Sequence, residues 1–177
     1  MRLRTAFGVF AALFALVGPA RADNVWLDAT SDRWHAVATT DSITDARIFA
    51  VYVVTAAVNT STVGGDLARV ELTCRAGKAR LTFEWNFKAV GPANLVVDYR
   101  FDGRAGHTVK ARYVNRTLIE TTAVADIRQF LADAAHAEGL LVRANSDTYG
   151  VNTATFRTKA SADMVARFAA ACPLAAG

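Results

Sequence analysis

The chain is poor in the residues that usually carry out chemistry. Its 177 residues include only two cysteines and three histidines. The histidines, His35, His107 and His136, stand nowhere at HxH or HExxH spacing, which excludes the common histidine-built zinc sites. There is no CxxC pair for thiol redox work and no GxSxG elbow for a serine hydrolase. The Gly64-Gly65 pair runs into Asp66, a carboxylate that repels the anion a phosphate loop must hold. No stretch beyond the first twenty residues is long and apolar enough to span a bilayer. No run of Lys and Arg is interleaved with aromatics, as a basic nucleic-acid surface requires.

What is present begins with an export pattern. Met1-Arg2-Leu3-Arg4 precedes an uncharged stretch from Thr5 to Ala20, and Ala20-Arg21-Ala22 offers small residues where a signal peptidase reads. The apolar part is too short for a membrane anchor, so residues 1–22 read as a removable signal peptide with cleavage after Ala22. Without a cysteine at the cleavage site, lipidation is not expected. The mature chain, 23–177, is then periplasmic or secreted, with no transmembrane anchor. Arg2, Arg4 and Arg21 leave with the signal, so the excess of 20 basic over 16 acidic residues falls to 17 over 16. That near-neutral balance removes the electrostatic case for nucleic acid. About 155 residues without a Pro/Gly/Ser linker or a repeat fit one domain.

The dominant period is that of strands. Leu81, Phe83, Trp85 and Phe87 alternate with Thr82, Glu84 and Asn86, placing four large apolar groups on one sheet face. Leu95, Val97, Tyr99 and Phe101 repeat the pattern, and Val109, Ala111 and Tyr113 follow it. Further strands are predicted at 48–55, 70–75, 140–144 and 151–158. Arg75-Ala76-Gly77-Lys78 and Asp102-Gly103-Arg104 supply turn chemistry. Helical period appears twice. Val124, Ile127, Phe130, Leu131 and Ala134 share a face, with Thr122 as cap and Gly139 as stop. Met164, Val165, Phe168 and Cys172 form a second stripe after Ser161, with Pro173 beyond. The fold class predicted is mainly β with two helices, a single antiparallel β-sandwich.

Thiols sent to an oxidising compartment usually pair, and two cysteines allow one pairing, Cys74 with Cys172. It staples the last helix to the sheet.

The remaining polar groups suggest surface roles. His136 lies on the polar face of the first helix, His107 in the 103–108 turn region and His35 beside Trp34, so none of the three enters a catalytic constellation and all are expected to be dispensable. Asp98 and Asp102 flank Arg100 on one strand face, an ion pair on a solvated sheet. Asp41 and Asp45 are too few for the six to eight oxygens that calcium wants. Asn59-Thr60-Ser61 and Asn115-Arg116-Thr117 match glycosylation sequons. No catalytic residue, metal or cofactor is expected.

The order of features resembles a known family. Trp34 and Ser42-Ile43-Thr44-Asp45 come before Leu72-Thr73-Cys74-Arg75 and Gly77-Lys78-Ala79-Arg80-Leu81. Then follow Asp98-Tyr99-Arg100-Phe101-Asp102, a helix with Ile127, Phe130 and Leu131, Leu140-Leu141-Val142-Arg143, Tyr149-Gly150, Ala154-Thr155-Phe156 and a final helix ending at Cys172. This arrangement resembles the VasI-like periplasmic proteins associated with type VI secretion, and the core is similar to the invasion-associated locus B family. It departs from the first where 112–117 lacks a Trp-x-x-Ser-x-Asp segment and where Thr148 replaces proline before the Tyr-Gly turn. The resemblance implies an accessory or host-interaction protein of the bacterial envelope with a protein partner and no known reaction. An alternative similarity is to periplasmic lysozyme inhibitors, through Cys74-Arg75-Ala76-Gly77 and, faintly, Lys110-Ala111-Arg112-Tyr113 as the inserting loop. The outward groups Asp98, Arg100 and Asp102, with the Tyr149-Gly150 turn, form the expected binding surface.

Overall fold

The computed structural model describes residues 32–60, 67–85, 94–115, 117–146 and 150–174. The signal peptide, Phe87, the Gly64-Gly65 pair and Tyr149 lie outside these residues. The strands are β1 (His35–Thr40), β2 (Arg47–Thr55), β3 (Val58–Thr60), β4 (Ala68–Arg75), β5 (Lys78–Trp85), β6 (Asn94–Phe101), β7 (His107–Tyr113), β8 (Leu118–Thr121), β9 (Gly139–Ser146) and β10 (Gly150–Arg157). The helices are α1 (Val124–Ala134) and α2 (Ser161–Ala171).

The strands form one antiparallel sheet in the order β1-β2-β4-β5-β8-β7-β6-β9-β10-β3. The last strand in that order follows β2 in the chain after Ala56 and Ala57 alone, so pairing β3 with β10 curls the sheet back on itself. The result is the predicted class, a sandwich-like β fold with two helices on its inner face. Register explains the core. Val51 and Val53 of β2 stand opposite Leu72 and Val70 of β4. Those stand opposite Leu81 and Phe83 of β5, and Phe83 in turn faces Ile119 of β8. All seven are buried. A slip of one residue would turn every one of them to solvent. The Arg75-to-Lys78 hairpin needs positive φ at both central positions, and Ala76 (49°) and Gly77 (73°) supply it.

Phe130 of α1 packs edge-on against Tyr99, Phe101 and Trp34, while Phe168 of α2 meets Phe49 of β2. The start of α2 is tied down by Trp34 Nε1, which donates to Ser161 Oγ (3.2 Å), and by the Ser161 hydroxyl, which donates to the Thr158 carbonyl. At its other end Cys172 is bonded to Cys74 of β4, with Cα atoms 5.7 Å apart. No described helix is long and apolar enough to cross a membrane.

Several details differ from expectation. The cap of α1 is Ala123, and its N–H is held by Thr121 Oγ1 (3.2 Å), so Thr122 is left exposed. Val124 is also exposed and does not join the buried stripe. The helix stops at Ala134, and Gly139 opens β9 instead. β1, β3 and β8 were not foreseen. Lys110 to Tyr113, suggested as an inserting loop, lie inside β7 with Ala111 in the core.

Candidate functional site

The two sides of the curled sheet carry different chemistry. On the outer side, Asp98 of β6 faces Arg143 of β9. The guanidinium donates to Asp98 Oδ2 from Nη2 (2.7 Å) and Nε (3.1 Å), and the Thr108 hydroxyl of β7 donates to Oδ1 (2.7 Å). The Thr108 hydrogen bond and then Arg143 hold the Asp98 carboxyl below its ordinary value. The ion pair anticipated on this face therefore exists, but its cation is Arg143, across the ladder. Arg100 is exposed and has no carboxylate partner among the described residues. Beside it a shallow pocket of about 270 Å³ is bounded by Asp98, Arg100, Arg143, Leu141 and Thr153.

Asp102 and Gly150 do not join this group. Asp102 follows β6 at the turn, where its N–H donates to the Gly139 carbonyl (3.1 Å) and its carboxylate covers Gly139 so closely that a Cβ there would collide with it. Gly150 starts β10 opposite Ser146, at the other end of the strands. From Gly139 to Ser146 is seven residues, so at about 3.4 Å each the two lie roughly 24 Å apart along the strands. The expected surface thus resolves into Asp98 and Arg100, with Arg143 added.

The outer face continues as a charged layer. Glu120 of β8, 1% exposed, forms ion pairs with Arg80 of β5 (3.0 Å) and Arg112 of β7 and accepts a hydrogen bond from the latter. Arg69 of β4 pairs with Glu71 and lies 4.5 Å from the Tyr52 ring centre. Burial pushes the Glu84 carboxyl up, opposed by the Arg69 charge. Lys110, like Arg100, has no carboxylate among the described residues. The face formed by β5 to β9 therefore carries more cations than carboxylates. A groove of about 870 Å³ runs along its β4–β5 side, bounded by Arg69, Glu71, Arg80 and Glu84.

On the inner side lies a cluster that was not foreseen. His107 opens β7 rather than sitting in the turn, stacks on Tyr99 (5.5 Å between rings) and places Nε2 3.1 Å from Asp133 Oδ2. Asp133, 6% exposed, also accepts from Gln129 Nε2 at both oxygens (3.1 and 3.2 Å). Burial and then the Asp133 and Asp126 charges push the Tyr99 hydroxyl well above the ordinary phenol range. The signal for Asp133 was its position three residues after Phe130, on the edge of the apolar stripe of α1. The partner lies on a distant strand, and no local spacing reveals that. The contact joins α1 to β7 across a long stretch of sequence.

The other singled-out residues have structural work. Asp41 accepts from Thr44 N (2.8 Å), Thr44 Oγ1 (2.9 Å) and Ile43 N (3.1 Å) and pairs with Arg75 (2.8 Å); the Thr44 hydrogen bonds above all, then Ile43 and the Arg75 charge, hold its carboxyl below the usual value. Asn115 Oδ1 accepts from Thr117 and Leu118. His35 stacks on Tyr52 (5.4 Å), and His136 is exposed just past α1. Among the described residues no group of three His, Cys, Asp or Glu is arranged to hold a metal. Compared with known proteins, the chain matches no family model, no curated protein and no solved structure.

Proposed function

We propose that this is an exported, non-catalytic binding or accessory protein of the bacterial envelope, of the kind the VasI-like resemblance implies, which recognises an acidic protein surface through the outer face of its sheet. The observation that carries the reading is the exposed Arg100 beside the Asp98–Arg143 pair. It is a cation without a carboxylate among the described residues, set on a strand whose opposite face is locked in the core. Such a group can take a partner's carboxylate without first breaking a contact that the fold needs. The disulfide supports the compartment, since a bridge of this kind persists outside the reducing cytosol.

The test has two arms. Osmotic shock should release the processed protein from cells, and immobilised mature protein should retain an envelope or secretion-apparatus protein that Arg100→Glu releases. Purified protein should leave lysozyme activity unchanged; dose-dependent inhibition would replace this reading with that of a cell-wall hydrolase inhibitor.

A further inference from the structure

In sheet order β1 is an end strand: a bridge from Arg33 to Lys159 occupies the edge just before it, and beyond that bridge, from His35 to Thr40, β1 pairs with β2 on one side and carries no strand on the other among the described residues. Alternate backbone N–H and C=O groups of such an edge point outward and can template another strand. Proteins usually blunt an edge of this kind with Lys, Pro or a bulge. β1 reads His-Ala-Val-Ala-Thr-Thr, with none of these side chains, and pairs without interruption from His35 to Thr40.

Next to this edge lies a groove of about 610 Å³ between the end of β1, the start of β2 and the last turn of α2. Ala38, Ile48, Phe49 and Ala171 give it largely apolar walls, Thr39 and Thr40 add hydroxyls, and Arg47 is the charged side chain that lines it. Arg47 is exposed and has no carboxylate partner among the described residues, while the nearby Asp41 is committed to Arg75 and Thr44.

We infer that the β1 edge and this groove bind an extended peptide segment of another protein by strand addition, with a carboxylate of the peptide on Arg47. The main chain of the peptide extends the ladder, and every second side chain turns toward the groove. A lone cation in an apolar groove complements a lone carboxylate, which selects the occupant by charge. A second copy of this chain fits less well. Two paired β1 strands offer six residues a side, whereas a stable interface takes about 20–30.

The test uses mature, oxidised protein and a fluorescein-labelled hexapeptide of alternating valine and threonine that ends in a free-acid glutamate. A counterpart ends in glutamine amide. The expected result is saturable anisotropy with the acid probe, slowed amide exchange in β1, and affinity about tenfold or more lower for the amide probe and for Arg47→Glu. Arg100→Glu, on the outer face, should leave probe affinity unchanged, so failure here and failure of the proposed function are separable. Ala38→Glu should also abolish binding, and Arg47→Glu carries the test if that variant does not fold. Equal affinity of both probes, or of wild type and Arg47→Glu, would overturn the inference. So would absence of saturation, or a monomer–dimer equilibrium that Ala38→Glu abolishes while no probe binds.

Discussion

Two acid–base contacts, one on each side of the same sheet, show how the protein divides its work. Inside, Asp133 is 6% exposed and is met by His107 and Gln129 beneath Tyr99. Outside, Asp98 meets Arg143, whose side chain is about half exposed. Both join elements distant in sequence, but water competes more strongly with the outer one, since the inner carboxylate is buried and only its histidine reaches solvent. Removing one partner of a buried contact strands a polar group, whereas an exposed pair contributes about 0–1 kcal/mol. The inner contact therefore serves the fold, and the outer one is at liberty to serve recognition.

The comparison can be broken first at the inner face. Trp85→Ala opens a cavity at a residue 2% exposed and should cost about 3–5 kcal/mol, read by chemical denaturation. Cys172→Ala, or reduction, releases α2 from β4 across a separation of 98 residues and should cost about 2–5 kcal/mol. Oxidised protein should show no titratable thiol under denaturing conditions; two would contradict the bridge.

A smaller effect is expected at the inner pair. His107→Ala leaves the buried Asp133 with Gln129 alone and should lower stability by about 1–3 kcal/mol. His35→Ala and His136→Ala, with no ionic partner among the described residues, should change the melting temperature little. If all three alanine variants melt alike, the contrast between the two faces is wrong.

The smallest effects belong outside. The carboxyls of Asp98 and Asp41 titrate below the ordinary aspartate value of 3.8 in the folded protein. A depressed folded value means stabilisation that is present above about pH 4 and lost as pH falls through the folded value. The contribution of these two carboxyls to the melting temperature should therefore be flat from neutral pH to about 4 and decline below it. Asp98→Asn should make that decline shallower while changing the neutral value little.

The alternating strands were legible because Leu81, Phe83 and Trp85, or Val97, Tyr99 and Phe101, write the inner face directly into the chain. The disulfide was legible because two cysteines leave one choice. β1 was not, since its alanines and threonines show no strong alternation and most of its residues are exposed. Nor was β8, four residues long, with a glutamate buried under two arginines. The site was half legible. Strand period put Asp98 and Arg100 on one face, but only strand order could bring Arg143 to Asp98 and carry Gly150 away from Asp102. His107 and Asp133 meet through the packing of a helix on a strand, which no spacing within either element encodes.

The central claim, that the inner face holds the fold while the outer face is available for recognition, is tested most directly by Arg100→Ala beside Trp85→Ala. Each variant is scored for melting temperature and for partner capture per folded molecule. Arg100→Ala should melt as wild type and lose capture, whereas Trp85→Ala should melt far lower while its folded fraction captures normally. If Arg100→Ala destabilises the protein as strongly as Trp85→Ala and its folded fraction still captures, Arg100 is structural and the division of labour between the faces is wrong.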